Sequence, residues 1–321
     1  MLRFESDLGP LWSIVLAGGQ GVRLRRLVRR IHGEERPKQF ASVTSGRSLL
    51  RETLDRVAML APCDRTVIVT KADHARYLLE ERGGRRMPHV LEQPADRGTA
   101  AGVLLPARWV RARDPEAIVA VFPSDHLVVE TGRFMAHVAE VAAAVRANPD
   151  WVVLLGARAD RAETEYGWIE AGRAFGRTSA GPISAVTCFR EKPGPAEAEA
   201  LLAEGCLWNT FVIVAKAGRL VDLGERHVPE LSARLAPLDR FFGTEHERWA
   251  LGQAYALAPS ANFSTDVLER GQAELMVSHM PALKWCDLGT PRRVFQMVRE
   301  LDLRPPWVGA FGVRREQRIP A

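Results

Sequence analysis

The sequence predicts an α/β fold: a mixed, mostly parallel sheet with helices on both faces. Three observations carry that prediction. Short apolar, β-branched runs alternate with amphipathic helical stretches through the first half of the chain, as when crossover helices join parallel strands. The runs at 12–17, 66–70 and 117–122 have the length and the near-continuous apolar character of strands buried on both faces. The first run ends directly in Gly18, Gly19 and Gly21, a turn of the kind that closes a strand before a helix.

Taken in order, 12–17 is a strand, and 48–60 a helix with Leu49, Leu50, Leu54 and Val57 on one face. A strand at 66–70 and a helix at 72–82 follow, then a short strand at 90–92 that ends in Gln93-Pro94. The stretch 99–113 reads as a helix that Gly102 and Pro106 should bend or weaken. The strand at 117–122, the helix at 132–146 and the strand at 151–155 complete the alternation. In such sheets ligands collect at the carboxyl ends of the strands, where Gly18, Gln93 and Asp125 all fall. The second half is less regular. It offers short strands at 168–170, 183–189 and 211–215, a helix at 196–203 and several helical segments between 220 and 257. Strands near 275–277 and 283–285 and a helix at 292–301 precede a proline-containing tail, 304–321.

Composition excludes several classes. The 321 residues suit one large α/β domain or two small ones, and 46% hydrophobic with 26% charged residues is ordinary for a globular protein. No apolar run reaches the length of a membrane span, and residues 1–12 lack the layout of a signal peptide, so a cytoplasmic protein without a membrane partner is expected. Cys63, Cys188, Cys206 and Cys286 are scattered without a CxxC pair and read as buried, reduced thiols. The net charge of +5 and the arginine run at 23–30 raise nucleic-acid binding, but the interleaved aromatics of a stacking surface are missing, so no nucleic-acid partner is expected. Only five of the 44 basic residues are lysines. A lysine in so arginine-biased a chain marks a place that needs a compact ammonium.

Chemistry concentrates in the stretch 12–40. Glycines at 18, 19 and 21 leave no Cβ to block a phosphate or a base, Arg23 sits just past the turn, and Lys38 arrives in Pro37-Lys38-Gln39-Phe40. A glycine turn with two separated cations is what a bound triphosphate needs. A dinucleotide-binding G-x-G-x-x-G fails at its third glycine, which is Leu24, and a P-loop fails for want of any Gly-Lys pair.

LAGGQGVRL followed by PKQF resembles the signature of the sugar-1-phosphate nucleotidylyltransferases, especially the mannose-1-phosphate guanylyltransferases. Val22 and Arg26 depart from the usual Thr and Pro or Trp and leave the glycine–arginine core intact. The resemblance extends to about residue 303 and implies a Rossmann-like domain of the nucleotide-diphospho-sugar transferase type. Its nucleotide-binding half would cover about 9–156 and its sugar-binding half about 157–303, with no appended C-terminal repeat domain.

The same resemblance implies roles for particular residues. Leu16, Ala17, Gly18, Gly19, Gly21, Arg23, Lys38, Gln93, Gly98 and Thr99 would meet the nucleotide. In the base-lining stretch 93–101, Gln93, Gly98 and Ala101 replace the commoner Glu, Asn and Pro. If Glu92 and Gln93 share a strand, only one of them can face the pocket. The FPSDH and DLGT stretches resemble the metal motifs and make Asp125 and Asp287 ligands to Mg²⁺, a hard cation suited to carboxylates and phosphate oxygens. His126 is read as structural support. Gly167, Glu170, Glu191, Lys192 and Asn209, in YGWIE, EKP and WNT, would meet the sugar phosphate, with Arg23, Lys38, Asp125 and Lys192 as the catalytic set. The implied reaction joins a nucleoside triphosphate, GTP by preference, to a sugar-1-phosphate, mannose-1-phosphate by preference. Uridylyl or thymidylyl transfer to another hexose-1-phosphate, and a non-catalytic sugar-nucleotide-binding regulator, stay open, as does a homo-oligomer.

Overall fold

A computed structural model describes residues 11–83 and 86–310. Its centre is a nine-stranded sheet in the order β3-β2-β1-β4-β9-β6-β10-β8-β7. The strands are β1 (Leu11–Leu16), β2 (Thr66–Lys71), β3 (His89–Gln93), β4 (Ile118–Pro123), β6 (Val152–Arg158), β7 (Gly167–Thr178), β8 (Gly181–Glu191), β9 (Leu207–Lys216) and β10 (Leu275–His279). In chain order β5 (Leu127–Val128) and β11 (Trp285–Cys286) form a separate two-stranded sheet. β1 pairs in parallel with both β2 and β4, and β2 with β3. β9 runs antiparallel between β4 and β6, and β8 antiparallel between β10 and β7, so these two alone oppose the common direction.

Both faces are covered because alternate residues of each central strand enter different cores. Ile14, Val67, Val119 and Val121 pack on one side with α4 (Gly98–Arg113), α7 (Ala217–His227), α8 (Pro229–Leu235) and α9 (Glu247–Leu257). Val15, Ile68, Ala120 and Phe122 pack on the other with α2 (Leu49–Val57), α3 (Ala75–Arg82) and α5 (Thr131–Ala147). A third apolar cluster joins α1 (Arg25–His32) to α10 (Pro291–Glu300). Of the arginine run at 23–30, Arg23 lies in the 3₁₀ turn before α1 and the other arginines on α1, with Leu27 and Val28 buried and Arg25, Arg26, Arg29 and Arg30 outside. α6 (Pro195–Ala203) follows β8.

Several elements differ from expectation for identifiable reasons. α4 runs through Pro106 unbroken, because the buried proline contributes apolar packing that offsets its missing donor. The strand expected at 168–170 is the start of twelve-residue β7, whose outer part, Arg173 to Phe175, is exposed and held by its ladder to β8 rather than by burial. The strand expected at 211–215 begins already at Leu207, and the pairing of 285–286 with 127–128 is carried by two residues on each side. Cys206 and Cys286 are buried, whereas Cys63 and Cys188 are only partly so, and all four are free. Of the expected tail, 304–310 includes α11 (Trp307–Ala310), where the Trp307 indole donates to the Val43 carbonyl at 3.0 Å, and 311–321 lie outside the described residues. Among the described residues no helix is long and apolar enough to cross a membrane.

One buried group gives the fold a pH dependence. His137 on α5 is 2% exposed, with Nε2 at 3.3 Å from the Ser278 hydroxyl and Nδ1 unpartnered. Burial pushes its pKa down to about 4. The unfolded chain takes up this proton near pH 6.5 while the folded one refuses it, so the stabilisation is complete above pH 6.5 and lost as pH falls to about 4. The loss is on the order of 3 kcal/mol. The His137→Leu variant should take up about one proton fewer on unfolding across this range, read from the pH slope of denaturant-unfolding free energies. An unchanged slope would remove His137 as the source.

Candidate active site

The chain leaves β1 with β2 on one side and β4 on the other, and a ligand crevice is expected where these strands end. A cleft of about 370 Å³ opens there. Leu16, Gly18 and Gly19 line it. Ala17 is fully buried beneath, and its carbonyl accepts from the Gln39 amide at 2.7 Å. The same amide donates to the Gly19 carbonyl at 3.0 Å, so Gln39 ties the glycine turn to the 3₁₀ turn that carries Lys38. Gly21 does not border this cleft but an adjoining hollow with Lys38, Asp125 and Asp287. Its φ is 60°, and a Cβ there would stand 2.7 Å from the Lys38 Cβ. Gly21→Ala is therefore strained and pushes Lys38 out of place. In a folded variant the Lys38 ammonium should move off Asp125, read as a displacement of Lys38 Nζ in a crystal structure of Gly21→Ala; an unmoved Lys38–Asp125 pair would show that Lys38 tolerates the shift.

The charges converge through the two-stranded sheet. Cys286 pairs with Leu127, which sets Asp287 next to Asp125 although 162 positions (287 − 125) separate them. The Lys38 ammonium, 6% exposed, lies 3.0 Å from Asp125 Oδ2 and donates to the Asp287 carbonyl. Asp287 accepts at Oδ1 from the Tyr166 hydroxyl at 2.9 Å, the Gly289 amide at 2.9 Å and Arg293 Nη1 at 2.8 Å. Burial alone would raise both carboxyl pKa values; Lys38, with Arg293 at Asp287, overcomes it and holds both below the usual carboxylate range. His126, edge-on to Trp285 at 5.3 Å, is pushed by burial to about 4 and stands neutral. This donor set fits a hard divalent cation. Among the described residues Asp125 Oδ1 accepts no hydrogen bond and Asp287 Oδ2 accepts only from Arg293, which leaves both oxygens lone pairs for a cation. Arg23 pairs with Glu165 across the mouth.

The second wall gathers Gly167, Glu191, Lys192 and Asn209. A Cβ on Gly167 would lie 2.8 Å from Glu191 Oε2 and 3.3 Å from the Asn209 Cβ. Lys192 has φ of 51°, a costly conformation for a residue with a side chain, and its amide donates to the Tyr166 carbonyl at 3.1 Å. Its ammonium is half exposed, 3.7 Å from Glu191 Oε1. Burial raises the Glu191 pKa against the pull of Lys192. Glu170 is not part of this wall. It pairs with Cys188 and is exposed, because strand alternation puts it on the Trp168 side of β7, opposite Gly167.

At the far end, Gln93 is buried on β3 while Glu92 is exposed, as alternation requires. Gly98 and Thr99 line the cleft beside it. Gly98 has φ of 77°, and a Cβ would fall 2.2 Å from the Ala261 carbonyl. Thr99 Oγ1 accepts from the Phe263 amide at 2.8 Å, so this loop is fastened to the segment that brings Ser264 into the cleft. Sequence reasoning missed Gln39, Lys71 with Asp96 at 3.3 Å, Tyr166, Arg293 and Tyr255. Of these, Gln39 inside PKQF, Tyr166 inside YGWIE and Lys71, through the rarity of lysine, carried a signal.

A family model described as nucleotidyl transferase matches residues 12–302. A mannose-1-phosphate guanylyltransferase of Sinorhizobium fredii is 28% identical over 295 residues, covering 90% of this chain and 55% of that protein. The xanthan biosynthesis protein XanB of Xanthomonas campestris pv. campestris is 30% identical, covering 89% of this chain and 58% of that protein. The chain thus spans little more than half the length of these curated relatives. A crystal structure described as mannose-1-phosphate geranyltransferase from Thermus thermophilus superposes with a TM-score of 0.73 at 30% identity, covering 89% of this chain and 79% of that one.

Proposed function

This chain belongs to the nucleotidyl transferase family, and we propose that it transfers a nucleotidyl group from GTP to mannose-1-phosphate. The products are GDP-mannose and pyrophosphate. The observation that carries this reading is the arrangement of Lys38, Asp125 and Asp287 at the end of the glycine turn, with Lys192 on the facing wall. Two anionic substrates need cations on both sides and a hard-oxygen pair between them.

In the reaction, an oxygen of the sugar phosphate bonds to the α-phosphorus while the bond from that phosphorus to the β-phosphate bridging oxygen breaks, and its electron pair leaves with pyrophosphate. A phosphate monoester with a second pKa of about 6 is already largely deprotonated at neutral pH, so no base is needed. Catalysis is then positioning and charge stabilisation. Arg23 and Lys38 hold the triphosphate and the charge of the leaving group. Lys192 aligns the attacking phosphate, while Gly167, Glu191 and Asn209 receive the sugar. Asp125 and Asp287 would hold Mg²⁺, which when bound supplies charge neutralisation between the phosphates.

Guanine and mannose are supported by the description of the Sinorhizobium relative as a mannose-1-phosphate guanylyltransferase and by the PKQF and FPSDH motifs. The test is kcat/KM for GTP, UTP, dTTP, ATP and CTP, each with mannose-1-phosphate and glucose-1-phosphate. GTP with mannose-1-phosphate should lead. A clear preference for UTP or dTTP would replace the guanylyl assignment and keep the reaction class.

A further inference from the structure

We infer that Tyr255 is a positioning residue for base selection: it holds the Gln93 amide so that its NH₂ faces the cleft and favours bases with a ring carbonyl at that edge. The inference rests on reading this end of the cleft as the base subsite. Tyr255 lies on α9, 1% exposed, and its hydroxyl donates to Gln93 Oε1 at 3.1 Å. Gln93, 6% exposed, closes β3. An amide has one acceptor end and one donor end, and they are not interchangeable to a ligand. With Oε1 committed to Tyr255, Nε2 is left for the cleft.

The surroundings agree. A Cβ on Gly18 would stand 3.2 Å from Gln93 Nε2 and one on Gly102 would stand 3.9 Å away, and both glycines line the cleft. The nitrogen end therefore faces the two positions where missing side chains leave room for a planar base. Tyr255 itself is fixed, because its carbonyl accepts from Arg97 Nε at 2.8 Å and its ring sits in the core. Burial raises its pKa, so the hydroxyl keeps the proton it donates.

An NH₂ group can satisfy O6 of guanine or O4 of uracil and thymine. Against N6 of adenine or N4 of cytosine it sets donor against donor. The two informative comparisons are GTP with ATP and UTP with CTP, which differ at this edge within one ring type. Removing the Tyr255 hydroxyl frees the amide to turn over and present its oxygen to the amino bases.

The experiment measures kcat/KM for these four triphosphates with saturating mannose-1-phosphate, for the wild type, Tyr255→Phe and Gln93→Met. The wild type should favour the keto member of each pair. Tyr255→Phe should shrink both ratios about tenfold, the loss of one hydrogen bond's worth of orientation, with the KM for mannose-1-phosphate unchanged. Gln93→Met, of similar size with no N–H to offer, should lose the keto preference even if Tyr255→Phe does not fold. Unchanged ratios in Tyr255→Phe, or a wild type that prefers amino bases, overturn the inference. Calorimetric binding of the same triphosphates separates this from the reaction itself. A keto preference in binding that Tyr255→Phe erodes, in a protein releasing no pyrophosphate, would keep the inference and defeat the proposed reaction.

Discussion

Asp125→Asn should lower kcat for pyrophosphate release by at least about 10³-fold, the scale expected when a preorganised charge at a phosphoryl-transfer site is lost. The substitution keeps shape and removes charge. That charge is present at neutral pH, because the Lys38 ammonium 3.0 Å away holds the Asp125 pKa below the usual range despite burial. Its loss leaves Lys38 facing a neutral amide and turns one of the two carboxylates proposed for Mg²⁺ into an uncharged, weaker ligand. Since a third of the Asp125 side chain is exposed, solvent screens the broken pair and the protein should stay folded. Asp287→Asn should give a comparable fall in turnover, with a larger cost to local order because Arg293 and Tyr166 both bind that carboxylate. Wild-type activity should vanish in EDTA and return with Mg²⁺, whereas neither variant should recover. Full activity in either variant would remove that residue from the metal site.

The second large effect separates two lysines. Lys38→Ala should impair handling of the triphosphate, lowering kcat and raising the KM for GTP, because its buried ammonium bridges Asp125 and the Asp287 carbonyl. Lys192→Ala should act mainly on the other substrate, raising the KM for mannose-1-phosphate by about 10- to 100-fold, as for a charge-assisted contact of 1.5–3 kcal/mol. Lys192 is half exposed beside Glu191 and sits in a left-handed backbone conformation that glycine would adopt more readily. Unchanged sugar-phosphate kinetics in Lys192→Ala would reduce EKP to a surface turn.

What was legible in the sequence follows the range of the forces involved. Buried strands announce themselves by apolar runs, so β1, β2 and β4 and the cleft-lining positions just past them could be read directly. Only the start of β7 could, because its exposed half is held by backbone pairing that leaves no apolar signature. Glu170 was misplaced because a motif suggests proximity, whereas strand alternation turns every second side chain away. Contacts between distant segments left no local trace. Arg293 on Asp287, Tyr166 on the same carboxylate and Tyr255 on Gln93 join residues that only the folded sheet brings together. The meeting of Asp125 and Asp287 is of that kind too. Two short strands, 127–128 and 285–286, accomplish it; the second was expected near 283–285, but two-residue strands give no pattern that reveals their pairing.

The central claim is transfer at the α-phosphorus, and isotopic position tests it most directly. GTP labelled at the α-phosphorus is mixed with mannose-1-phosphate, Mg²⁺ and the protein, and the products are separated. The label should appear in a sugar nucleotide in a one-to-one ratio with unlabelled pyrophosphate, and only when the sugar phosphate is present. Label recovered in GMP or GDP without sugar, or no turnover with any pairing of triphosphate and sugar-1-phosphate, would contradict the account.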